Sequence, residues 1–355
     1  MVTSVHQLVP SFAPRDAVGN HTLEVQQVLR DLGLRSEIYV AEARPEVARL
    51  CTPYEQYEPE PDDWLLYQAS TGSPMVEWLL GRDESLLVNW HNITPASLFG
   101  PWEPHVGVEL EAGRRQIKAL APRTRFAIAD SSYNEAELRE FGYGATAVVP
   151  ILLDTATFDE AVDQRAVARL RHPATVWLFV GRLAPNKAQH DLIKAFSVYR
   201  RVYDPDARLR LVGGSASHAY WTALVEYIAA LELGPYVELC GDVPDGVLGA
   251  HFHAADVYVS TSDHEGFGVP LLEAMHHRVP IVAYGSTAVP ETVGSGGVVL
   301  PEKDPATMAA AVHRVVSDAT LRDALVAAGT RRLADFDLAT NRRRFGELVL
   351  EVIRA

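Results

Sequence analysis

Along most of its length the chain alternates short apolar runs with longer segments of helical spacing, and it does so in two successive series. That alternation restricts the fold more than any other feature. A strand that is apolar on both faces must be covered on both faces, and a helix between consecutive strands supplies the cover through a parallel crossover. The first series reads as strands at residues 5–9, 36–40, 64–67, 86–90, 126–130 and 147–149, with helices at 22–32 and 135–141. Gly33 closes the first of these helices, and Ser131 to Asn134 opens the second. The second series reads as strands at 176–180, 208–212, 237–240, 279–284 and 298–300, plus a run at 254–262 that passes into a polar turn. Its helices are expected at 190–203, 220–232, 247–253, 307–317, 320–332 and 338–354. Two such series predict two doubly wound α/β domains, with the linker starting at Asp154.

Composition and charge narrow the function. A chain of 355 residues is long enough for two cores, and 48% hydrophobic with 22% charged residues suits a soluble globular protein. No apolar run approaches the ~20 residues that span a bilayer. The N-terminus, MVTSVHQLVPSF, lacks the basic start and apolar core of a signal peptide. Cys51 and Cys240 are too few for a disulfide framework or a zinc site, which fits a reducing compartment; a cytoplasmic protein is expected. The net charge of −14 argues against a nucleic-acid partner. Acid is concentrated in the first half, with 12 basic against 21 acidic residues through Leu153, and residues 55–63 read as an exposed acidic loop. No polybasic helix marks a lipid-docking surface, so stable membrane insertion is not expected, while peripheral contact and the oligomeric state stay open. Arg114, Arg115 and Lys118 read as a solvated helix face.

Chemistry gathers where strands end. Asp263 to Met275 runs from a strand through Gly266 and Gly268 into a helix with Pro270 in its first turn. A glycine loop opening a helix leaves backbone N–H groups and the positive helix end for an anion such as phosphate. Glu265 and Glu273 flank this loop with seven residues between them. Arg182 and Lys187 share the loop after the 176–180 strand, where two cations suit a diphosphate. In the first half, the loop from Ser11 to His21 holds Arg15, Asp16, Gly19 and Asn20 at the carboxyl end of the first strand. It lacks a full G-x-G-x-x-G, so no dinucleotide is indicated. His91 follows the 86–90 strand and reads equally as a packing or capping residue and as a ligand.

Taken together, Val180-Gly181-Arg182-Leu183 with Lys187, Leu211 to Gly214, Gly241-Asp242-Val243, and Glu265-Gly266-Phe267-Gly268 with Glu273-Ala274-Met275 resemble the donor domain of glycosyltransferase family four. The first half resembles it more loosely, in Asp16 to His21, His91 to Pro95 and Ser131 to Asn134. The resemblance implies the GT-B fold, two doubly wound Rossmann-like domains facing across a cleft, with the last helix crossing back to the first domain. The domains would be residues 1–153 plus 338–355, for the acceptor, and 154–337, for a nucleotide-sugar donor. It also implies roles. Arg182 and Lys187 would hold the diphosphate of a nucleoside-diphosphate sugar, and Glu273 the ribose. Glu265 and the amides of Gly266, Phe267 and Gly268 would hold the transferred sugar, and the loop after Val269 would meet the distal phosphate. Gly181 belongs to the same phosphate loop, Asp242 and Val243 would flank the base, and His91 would approach the sugar. Gly19, with Asn20 beside it, would place backbone next to phosphate, although its loop departs from the family's commoner double-glycine form.

The activity so implied is retaining transfer of a hexosyl group, from a donor such as GDP-mannose or UDP-glucose/GlcNAc, to a hydroxyl of a carbohydrate or other acceptor. Charge developing on the departing diphosphate would meet Arg182, Lys187 and a helix N-terminus. No cofactor and no metal are expected. Asp204-Pro205-Asp206 matches D-x-D formally, but its proline and its place after a helix read as a turn. A glycosidase-like carboxylate pair is disfavoured, because Glu265 lies in a loop and Glu273 inside a helix. A nucleotide-sugar-binding protein without catalysis and a GT-B-fold epimerase are the alternatives.

Overall fold

The computed structural model describes residues 2–13, 16–159 and 162–355. Arg15, in the first loop, lies outside them. The chain divides into two compact units, one of residues 1–100, 105–153 and 336–355, the other of 101–104 and 154–335. Relative to the expected boundaries, Pro101–Pro104 goes with the second unit and the return to the first comes at Phe336. Trp102 accounts for the first difference, its ring packing edge-on against Tyr220 at 5.0 Å.

In the first unit the chain runs β1 (Ser4–Phe12), α1 (Ala17–Asp31), β2 (Ile38–Ala43), β3 (Thr52–Pro53), β4 (Asp63–Ala69), α2 (Met75–Leu80) and β5 (Ser85–Trp90). It continues through α3 (Ala96–Phe99), α4 (Pro104–Leu120), β6 (Thr124–Ala129), α5 (Ser132–Glu140) and β7 (Thr146–Val148). Among the described residues these strands form a seven-stranded sheet in the order β3-β2-β1-β4-β5-β6-β7, every pair parallel. Period-two alternation divides the side chains between two cores. Leu65 and Tyr67 join Leu8, Val88, Trp90 and Ile117 on one face. Leu66 joins Val5, Val25, Leu29, Leu87 and Ile128 on the other.

The second unit runs α6 (Gln164–Leu170), β8 (Val176–Val180), α7 (Gln189–Val202), β9 (Arg208–Val212), α8 (His218–Ala230), β10 (Val237–Gly241) and α9 (Asp245–His253). Then come β11 (Val257–Ser260), α10 (Val269–His276), β12 (Ile281–Tyr284), α11 (Val289–Val293), β13 (Gly297–Leu300), α12 (Pro305–Ser317) and α13 (Ala319–Leu333). Its six-stranded parallel sheet has the order β10-β9-β8-β11-β12-β13. All five side chains of β8 are buried, as a central strand covered on both faces requires.

The last helix, α14 (Leu338–Arg354), returns to the first unit and packs on α1. Phe345 is fully buried there, Gly346 lets Val28 and Leu32 approach, and Arg342 pairs with Glu24. Two Rossmann-like units with a returning C-terminal helix are the GT-B architecture. Among the described residues no helix is long and apolar enough to cross a membrane.

Candidate functional site

In the second sheet the strand order reverses between β8 and β11. At such a switch point the loops from neighbouring strand ends part and leave a crevice. The loop after β8 begins at Gly181, whose φ of 145° is open to glycine alone. Gly213, at φ 137°, comes so close that a Cβ there would collide with the Gly181 carbonyl. Leu183 N–H donates to Gly214 O at 2.8 Å, and Ala216 N–H to Leu183 O at 3.0 Å, which ties the ends of β8 and β9 together. Arg182 projects from this brace and is exposed. Among the described residues its guanidinium has no ion-pair partner, while its carbonyl accepts from Gln189 Nε2 at 3.0 Å.

Lys187 and Glu265 meet. Lys187 Nζ lies 2.6 Å from Glu265 Oε2, with their side chains 19% and 13% exposed. The meeting is built by residues that the sequence does not advertise. Asn186 O accepts from Asp263 N–H at 2.8 Å, and Asn186 Nδ2 donates to His264 O at 3.3 Å. Thr287 Oγ1 accepts from Glu265 N–H and donates to Glu265 O, both at 2.8 Å. Lys303 adds a clamp, bridging Asp263 at 2.6 Å to Asp191 of α7 at 2.7 Å.

Beyond Glu265, Thr292 Oγ1 donates to the buried Phe267's carbonyl at 2.6 Å. Gly268 then opens α10 at φ 93° and offers no side-chain cap; Pro270 has no N–H, and the Leu271 N–H donates to Gly268 O at 2.9 Å. Gly266 and Val269 bracket this turn. Glu273 lies one turn into α10, where burial and the nearby Asp245 push its carboxyl up to about 7. On the far side of β9, Asp242 follows Gly241 at the end of β10 and is exposed. Its carboxylate occupies the space a side chain at Gly214 would need, and Val243 beside it is half-buried. Asp204 Oδ2 accepts from Thr175 N–H at 2.9 Å and its Oδ1 from Asp206 N–H at 3.1 Å, so Asp204-Pro205-Asp206 forms a turn.

The first unit departs from expectation at Gly19. The segment read as a loop up to His21 is helical from Ala17 onward, because Asp16 caps it: the Gly19 N–H donates to Asp16 Oδ2 at 3.1 Å. The amide expected to face phosphate is therefore engaged by the cap, and Asn20 lies exposed on α1. A Cβ at Gly19 would sit 2.8 Å from Ala13 O, so the glycine serves close approach of the chain to itself. His91 follows β5 with its side chain 2% exposed. Its Nδ1 lies 2.8 Å from Asp130 Oδ2 and its Nε2 2.8 Å from Gln68 Oε1. Arg114, read as solvated, instead braces the loop after His91. It donates to Ile93 O and pairs with Glu137, each at 2.7 Å, and Glu137 accepts from Asn92 at 2.5 Å.

The family model described as glycosyl transferases group 1 matches residues 162–332. The D-inositol 3-phosphate glycosyltransferase of Kineococcus radiotolerans is 32% identical over 68% of this chain and 59% of its own length. The GDP-mannose-dependent alpha-(1-6)-phosphatidylinositol monomannoside mannosyltransferase of Mycolicibacterium smegmatis is 28% identical over 80% of this chain and 81% of its own. Among solved structures, sucrose-phosphate synthase from Thermosynechococcus elongatus superposes with a TM-score of 0.78 at 20% identity, covering 99% of both chains. The chain spans 50–59% of the length of the first three curated relatives it matches.

Proposed function

We propose that this chain, whose residues 162–332 match the family model of group 1 glycosyl transferases, moves a hexosyl group from a nucleoside-diphosphate sugar to a hydroxyl of a carbohydrate or other acceptor. The observation that carries the proposal is the β8–β11 switch point. There Arg182, without an ion-pair partner among the described residues, the Lys187–Glu265 pair and the start of α10, which has no side-chain cap, come from loops at adjacent strand ends. Such a set suits an anionic leaving group next to a polyhydroxy one. Arg182, Lys187 and the positive end of α10 take the diphosphate, Glu265 accepts from sugar hydroxyls, and Glu273 accepts from the ribose.

In the reaction, the bond between the anomeric carbon and the diphosphate oxygen breaks, and its electron pair leaves with the diphosphate. The acceptor oxygen bonds to the same carbon on the face the nucleotide leaves, so the anomeric configuration is retained. The acceptor's proton passes to an oxygen of the departing phosphate. The negative charge that develops falls on two cations and a helix end, and this supports a reaction that needs no metal.

The test is a donor panel with GDP-mannose first, since the M. smegmatis relative's name specifies it, beside UDP-glucose and UDP-N-acetylglucosamine. Each donor is incubated with monosaccharide, glycan and lipid-linked acceptors, and products are read by mass and by NMR of the anomeric centre. A hexosyl adduct of retained configuration, formed equally in EDTA, is the expected result. Donor binding with neither transfer nor hydrolysis would leave a binding protein, and an inverted linkage would overturn retention.

A further inference from the structure

Four neighbouring strands of the first sheet carry a continuous line of buried polar side chains. Gln7 comes from β1, Gln68 from β4, His91 directly after β5 and Asp130 directly after β6. The line is pinned at one end by a group whose role is fixed. Gln7 Nε2 lies 3.0 Å from the Thr22 carbonyl, which can only accept. The nitrogen of Gln7 must face it, so its oxygen faces Gln68, whose Nε2 lies 2.7 Å away and donates. The oxygen of Gln68 is then left for His91 Nε2, at 2.8 Å. An oxygen there requires a hydrogen on that nitrogen. At the other edge of the ring, Nδ1 faces Asp130 Oδ2 at 2.8 Å. This reasoning does not depend on how either glutamine amide was drawn, because the backbone carbonyl sets the sequence of donors and acceptors.

Asp130 needs that second hydrogen as much as His91 does. Its side chain is 2% exposed, and its Oδ1 has no hydrogen-bond partner among the described residues. A carboxylate so buried is costly unless a cation or a shared proton neutralises it. The other titratable group against His91 is His21 of α1, with ring centroids 5.0 Å apart. His21 stays neutral, since Leu152 N–H donates to its Nδ1 at 2.9 Å and burial, with His91, holds its proton affinity well down. Its hydrogen therefore sits on Nε2, 2.5 Å from the Asn89 amide. The same Asn89 amide nitrogen lies 3.1 Å from Gln68 Oε1, to which it donates, and 3.3 Å from His91 Nε2. Phe345 closes the other side of His21 without charge.

We propose that Gln68 and Asp130 act as positioning residues that keep a hydrogen on each ring nitrogen of His91, which makes it a fixed donor unable to accept a proton. Given the transferase reading above, His91 is then excluded as the base that takes the acceptor's proton. That leaves the departing phosphate for the role.

The test uses the whole, ligand-free protein with 15N-labelled histidine side chains. His91 is assigned through bonds to its backbone, so no variant is needed, and long-range 1H–15N spectra are recorded from pH 6 to 8. Two hydrogen-bearing ring nitrogens for His91 across that range are expected. In Asp130→Asn, Nδ1 should become a bare nitrogen, since a neutral amide can donate to it. A bare nitrogen on His91 at pH 7 in the wild-type protein would overturn the proposal. Because the spectra need no donor or acceptor, this result stands apart from whether the chain transfers sugar.

Discussion

In its proposed role, Glu273 has to serve two states that ask opposite things of it. In the free protein burial pushes its carboxyl up to about 7, with Asp245 adding repulsion. A raised acid of this kind contributes stability below its unfolded value near 4.5 and loses it as pH climbs through 7. Glu273→Gln should therefore raise the melting temperature relative to wild type, with a gain that grows from pH 5 to pH 8; a gain independent of pH would contradict the burial argument. If ribose hydroxyls donate to the ionised carboxylate, as proposed, donor binding should release a proton and tighten from pH 6 to 8. Calorimetry in buffers of different ionisation enthalpy measures that release, and proton uptake would contradict the ribose role.

The loops that present these residues depend on backbone that only glycine adopts. Gly213→Ala places a Cβ against the Gly181 carbonyl at φ 137°, and should destabilise the protein by about 1–3 kcal/mol or more in denaturant titration. Strands such as β8 and β9, and helix α14, were legible to the residue, because burial on both faces leaves unbroken apolar runs and an amphipathic helix leaves its period. Helix α4 was legible only near its end, where Arg114, Arg115 and Lys118 read as a helix face. Pro104, Gly107 and Gly113 look like loop punctuation, yet Gly113 lies within a helix at a close crossing, where a Cβ would sit 2.8 Å from Gly72 N. Gly19 misled in the same way, its polar neighbours reading as a loop where Asp16 in fact starts a helix. In the site, the charged and glycine motifs announced themselves. Asn186, Thr287, Lys303, Gln68 and Asp130 did not, because each acts on residues distant in sequence and belongs to no local pattern. Thr287, for example, holds Glu265 from 22 residues away.

At the scale of the molecule, the chain closes its first unit with its last helix. Phe345 and Val349 of α14 complete the core that Val25, Leu29 and Leu66 begin. Phe345→Ala should cost about 3–5 kcal/mol, and hydrogen exchange should show the loss concentrated in α1, α14 and the strands beneath them. Protection lost evenly through both units would contradict this division of cores. The second unit holds the group 1 family match and the switch point at which the transfer chemistry is proposed. The most direct test of that chemistry is steady-state turnover of Arg182→Ala and Lys187→Ala at saturating donor. If these cations meet charge that develops only as the donor bond breaks, each substitution should lower kcat by about 10²–10³-fold. Turnover near the wild-type value in both variants would contradict the account.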